Sequence, residues 1–74
     1  MDGTVYANNP AMARRYVELN NLTHIMVGKN LDNKYIVWEM TINHVGFGTE
    51  TFKRKRDAYT YAKKLSAVLS LPIK

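Results

Sequence analysis

The chain has 74 residues, 46% hydrophobic and 23% charged, and its eleven Lys and Arg against six Asp and Glu give a net charge of +5. That composition belongs to a folding domain and not to a disordered tail, and the length leaves room for one modest core but little for a deep catalytic cleft. The absence of cysteine excludes a disulfide framework and a thiolate zinc site.

Met1 to Asn8 offer little that packs apart from Val5 and Tyr6, and are predicted to form a flexible arm ahead of a single binding domain over residues 9–74. Asn9 followed by Pro10 is a helix start, an N-cap acceptor and then a preset φ. Met12, Tyr16 and Leu19 then share one helical face, and Asn20-Asn21 is a stop, so a short helix is predicted over Pro10 to Leu19. A competing pattern puts Tyr16 to Leu19 in a strand.

Three strand-like runs come next. Leu22 to Val27 is rich in β-formers, and Gly28 to Asn33 is a polar turn. In Lys34 to Asn43, Ile36, Trp38, Met40 and Ile42 alternate with Val37, Glu39 and Thr41, which predicts a strand whose more apolar row, Trp38 included, faces the core. Asn43-His44 makes a tight connection to the third strand, Val45 to Phe52, where Gly46 and Gly48 permit a close backbone approach. Their proximity in the chain favours antiparallel hairpins.

From about Lys55, the residues Ala58, Tyr61, Ala62, Leu65, Val68 and Leu69 recur at helical spacing, up to a stop at Pro72. Such a helix must cover one face of the sheet, because an isolated three-stranded sheet is barely stable. The expected class is therefore α+β: a three-stranded antiparallel sheet packed by a C-terminal helix, preceded by a short N-terminal helix, in the order α-β-β-β-α.

Lys53-Arg54-Lys55-Arg56 falls where the third strand hands over to the last helix. Cations at a helix N-terminus oppose the macrodipole by roughly 0.3–1 kcal/mol each, and only Asp57 offsets four of them. A rule broken locally points to function, and cations beside exposed first-turn amides suit a phosphate. Lys63 and Lys64 extend the positive surface, Arg14-Arg15 form a second basic pair, and Lys29 and Lys34 flank the first turn. Together they would track a phosphate backbone if they converged; otherwise they are a solvated face that keeps the protein soluble. Tyr59 falls off the apolar helical face and is the expected exposed ring for stacking, whereas Phe47 fits either environment.

Catalysis finds no matching pattern. His24 and His44 lack carboxylates at ligand spacing, Asp2, Glu18, Asp32, Glu39, Glu50 and Asp57 are scattered, and Gly46-x-Gly48 is too short for a phosphate loop. No metal, cofactor or enzymatic activity is expected. No apolar run approaches the ~20 residues of a membrane span, and the N-terminus lacks a signal peptide's apolar region, so the expectation is a soluble, monomeric, cytoplasmic protein.

Gly48 in the third strand, then Lys55-Arg56-Asp57-Ala58 opening the last helix, resembles the double-stranded-RNA-binding domain over roughly residues 10 to 70. The resemblance implies basic residues gripping phosphates across the major groove. Trp38 and Phe52, then a basic stretch and Ala58, are similar to the arm-type DNA-binding domain of integrases and to short ββα proteins of phages and prokaryotes, with Arg54-Lys55 where those often carry Thr-Lys. A small, cysteine-free chain beginning at Met1 with a free arm also resembles phage proteins that seize bacterial RNA polymerase, inhibitors and antiterminators among them. That last resemblance implies a regulator in the host cytoplasm that docks on RNA polymerase and holds its basic patch near nucleic acid. The alternatives are a free-standing domain for double-stranded RNA or arm-type DNA, and a structural or oligomerisation module.

Overall fold

The computed structural model describes residues 3–74. A 3-10 turn at Gly3–Tyr6 leads into helix α1 (Pro10–Asn20), strands β1 (Leu22–Lys29), β2 (Tyr35–Thr41) and β3 (Gly46–Phe52), and helix α2 (Lys55–Leu69). The chain is α+β in the expected α-β-β-β-α order.

The ends of α1 obey local chemistry. The Asn9 side chain accepts the Met12 N–H, Pro10 fills the first turn, and Asn21 caps the C-terminus in the left-handed region at φ 52°. The face it buries differs from expectation. Ala13 is buried with Tyr16 and Val17 beside it, while Met12 and Leu19 are exposed. A small residue lets α1 approach α2 closely, and that neighbour is invisible in the local pattern.

The strands form one antiparallel sheet in the order β1-β2-β3. Its rows include Ile25–Glu39–Phe47, Met26–Trp38–Gly48 and Lys29–Tyr35–Phe52. Both turns place a non-glycine residue at positive φ, Asn33 at 61° and His44 at 63°. The tail adds a short parallel bridge on the outer edge of β1: the Ile25 N–H donates to the Pro72 carbonyl and the Lys74 N–H to that of Ile25, both at 2.8 Å.

Helix α2 lies across one sheet face, with α1 alongside it. Ala58, Ala62, Leu65 and Leu69 of α2 pack with Ala13, Leu22, Ile25 and Val37 to make the core. Fully burying Ile25 and Leu65 contributes about 1.5–3 kcal/mol each. The alternation of β2 runs opposite to the expected sense. Val37, Glu39 and Thr41 are buried under the helices, whereas Ile36, Trp38 and Met40 lie on the other face, half-buried. Glu39, 0% exposed, is tolerated inside because its carboxylate accepts the Tyr16 hydroxyl and, at 2.7 Å, the Gly3 N–H.

The same contact corrects the expectation of a flexible arm over residues 1–8, of which Met1 and Asp2 lie outside the described residues. From Gly3 onward this segment belongs to the packed body. Gly3 is buried so closely against α2 that a Cβ there would stand 2.6 Å from the Leu69 methyls, and Tyr6 packs on Tyr16 with ring centroids 5.2 Å apart. The missing side chain and the reach of Glu39 tie it down.

Candidate nucleic-acid interface

The hairpin register gathers cations from three parts of the chain at one end of the sheet. Lys29, Tyr35 and Phe52 form its last row, so Lys34, one residue before Tyr35, and Lys53, one after Phe52, stand beside Lys29. The turn holding Lys34 is organised by Asn30, whose side-chain oxygen accepts the N–H groups of Asp32 at 3.0 Å and Lys34 at 3.1 Å. The link from β3 to α2 is only Lys53-Arg54, which brings Lys55 and Arg56 to the same end. Six cations, Lys29, Lys34, Lys53, Arg54, Lys55 and Arg56, therefore converge, all exposed, with Asp32 and Asp57 among them.

Arg54 is the N-cap of α2 in an extended conformation, and its side chain makes no capping bond. Packing of the first two turns anchors the helix instead. Ala58 is fully buried, and the Phe52 ring meets that of Tyr61 with centroids 5.3 Å apart, clamping the end of β3 to the second turn of α2. A rigid strand-to-helix corner thus presents a locally unfavourable run of positive charge.

The basic surface continues along α2. Lys55, Tyr59 and Lys63 recur at four-residue spacing, and so do Arg56, Thr60 and Lys64, all exposed. The Lys55 Nζ stands 6.0 Å from the centroid of the Tyr59 ring, whose residue is 36% exposed, as its place off the apolar face predicted. At the sheet end the Lys29 Nζ lies 5.3 Å from the Tyr35 ring. Arg14 does not join this surface. It lines a groove with Val68, Leu69 and Ser70 at the opposite end of α2, about 21 Å of helix away. Its neighbour Arg15 is exposed on the same turn of α1. There the Arg14 charge complements the carbonyl end of α2.

The pole opposite the cations is apolar. Leu19 (71% exposed) and Phe47 (43%) border a groove between α1 and β3 with Tyr6 and Tyr16, and the exposed Ile42 and Val45 flank the adjacent β2–β3 turn. The alternation in β2 points to the core with its more apolar row, and so hides the place of Trp38 on the open sheet face. The available signal was glycine: positions 28, 46 and 48 all sit in rows with Ile36, Trp38 and Met40. Among the described residues, no cluster of three or more His, Asp or Glu could hold a metal ion, and no helix is long and apolar enough to cross a membrane.

The chain matches no protein-family model, and neither the curated proteins nor the solved structures hold a significant match.

Proposed function

We propose that this protein acts by binding, without catalysis, and that its basic end and the outer face of α2 contact the phosphate backbone of a nucleic acid. The observation that carries this reading is the convergence of Lys29 and Lys34 with Lys53, Arg54, Lys55 and Arg56 on one exposed end. Cations dispersed for solubility alone have no reason to concentrate where a helix dipole opposes them. The ridge of Lys63 and Lys64 beside Tyr59 lengthens the footprint along α2.

The test is the salt dependence of binding to a labelled oligonucleotide, read by anisotropy. Replacing Lys53, Arg54, Lys55 and Arg56 with Ala is expected to lower affinity and to reduce the slope of log K against log salt by roughly three units. The Arg14→Ala/Arg15→Ala variant should behave as the unaltered protein, because Arg14 sits at the other pole. Equal binding by the quadruple variant would refute the reading.

A second reading adds a protein partner. Exposed Leu19, Ile42, Val45 and Phe47 at the far pole favour a molecule that holds a protein at one end and nucleic acid at the other, as a phage-type regulator of bacterial RNA polymerase would. Purified polymerase should then retain the protein after nuclease treatment, and Leu19→Asp/Phe47→Asp should release it. Unchanged retention by that variant would remove the apolar pole from the interaction.

A further inference from the structure

The sheet face turned away from the helices holds the feature that the basic-end reading leaves unused. We infer that this face is a stacking platform for an unpaired nucleobase, with Trp38 as the ring that receives it. The nucleic acid crossing the sheet is then single-stranded. The inference rests on the nucleic-acid reading above and specifies the class of strand.

Trp38 lies in the central row of the open face, between Met26 and Gly48. Its indole is folded down onto β3. Ideal Cβ atoms at Gly46 and Gly48 would stand 3.0 Å from its Cε3 and 3.4 Å from its Cζ3, so the ring edge occupies the space two side chains would have filled. Its other edge, at Nε1, points to β1, 3.7 Å from where a Gly28 Cβ would be. Apart from Met26, its paired neighbour on β1, the cross-strand positions nearest the half-buried indole are glycines, which leave the ring room on this face. Ile36 and Met40 bracket it along β2.

Charge decides between occupants. The paired positions of this face are His24–Met40–Gly46, Met26–Trp38–Gly48 and Gly28–Ile36–Thr51, none of them a carboxylate; the exposed Glu50 lies in the irregular stretch of β3 between Gly48 and Thr51. Continuing the alternation outward, the next positions after Ile36 and Thr51 are Lys34 and Lys53, two cations of the basic end. Lys34 is about 13 Å from Trp38 along the strand, a reach that places phosphates on the lysines while a base lies on the ring. Stacking on an exposed aromatic takes any base but needs it unstacked from its neighbours, so a duplex cannot use the platform.

Trp38 is the only tryptophan, so its emission reports this site alone. The full chain is titrated at low salt with an oligothymidylate of about 12 nucleotides and with a duplex of equal length. Tryptophan emission is recorded, and in parallel the anisotropy of labelled copies. The expected result is binding of the single strand with quenching of Trp38, binding of the duplex without it, and a loss of about tenfold or more in single-strand affinity alone for Trp38→Leu. Single-strand binding with no quenching, or equal quenching by the duplex, would overturn the platform and leave the basic end standing. No anisotropy change with either nucleic acid would overturn the basic-end reading, and this one with it. The quenching arm uses the unaltered chain, so it holds even where the variant fails to fold.

Discussion

Tyr16, midway along α1, gives its hydroxyl hydrogen bond to the carboxylate of Glu39, which is wholly buried in the middle strand of the sheet. The second carboxylate oxygen takes the Gly3 N–H. One buried carboxyl group thereby fastens the N-terminal 3-10 turn, the first helix and the sheet to each other.

Removing one donor from a buried carboxylate leaves part of its desolvation uncompensated. Tyr16→Phe keeps the ring against Tyr6 and deletes only the hydroxyl, so the expected loss is about 1–3 kcal/mol, the cost of leaving a buried acceptor short of a donor. Urea unfolding should show a lower midpoint with an unchanged slope. A shift under about 0.5 kcal/mol, the size of an ordinary surface change, would mean that Glu39 is satisfied without Tyr16.

The two glycines beneath Trp38 should respond unequally to a methyl group. A Cβ at Gly46 would meet the Met40 Sδ at 2.8 Å and the Trp38 Cε3 at 3.0 Å, whereas one at Gly48 would meet the Ile36 Cδ1 at 3.1 Å. Neither glycine has a positive φ, so alanine gains about 0.4–1 kcal/mol from the unfolded chain, set against about 1–3 kcal/mol for overpacking. Gly46→Ala is therefore expected to destabilise by about 1 kcal/mol and to shift Trp38 emission as the indole is displaced. Gly48→Ala should be closer to neutral. The reverse ranking in thermal melts would show that the indole does not lie down on β3.

Legibility differed between the fold and the site. Elements could be read from local cues: Asn9-Pro10 for the start of α1, Asn20-Asn21 for its end, and the spacing of Ala58, Ala62, Leu65 and Leu69 for the buried face of α2. Faces could not. In β2 the row Ile36, Trp38, Met40 is more apolar than Val37, Glu39, Thr41, yet the second row is inside. What makes it acceptable is Tyr16 and Gly3, 23 and 36 residues from Glu39 in sequence. The run from Lys53 to Arg56 was visible as an anomaly. That Lys29 and Lys34 stand beside it and Arg14 does not is a property of strand register and helix placement.

The tail of the chain guards one sheet edge. Ile25 is bonded on its outer side by the Pro72 carbonyl and the Lys74 N–H. Deleting residues 72–74 should expose the Ile25 amide and speed its hydrogen exchange well beyond that of its neighbours, because exchange tracks local opening. An Ile25 amide as protected in the truncated chain as in the intact one would show that the bridge is not closed in solution.

The sharpest separation of stability from binding is available at Arg54. It occupies the N-cap of a 15-residue helix yet contributes no capping bond, and its charge opposes the dipole there. Serine at that position would accept a first-turn N–H and remove the unfavourable charge. Arg54→Ser is thus expected to stabilise the fold by about 1 kcal/mol, the usual worth of a good N-cap. The same change removes one cation from the converged set, so affinity for nucleic acid should fall and the salt slope should lessen by about one unit. A residue kept only for solubility would show the first effect without the second. Both effects in a single variant, a firmer fold with weaker binding, would mean that the arginine is held in place against the preference of its own helix. If Arg54→Ser bound as tightly as the unaltered protein, Arg54 would drop out of the interface, leaving it to the other five cations of the basic end and the Lys63 and Lys64 ridge of α2.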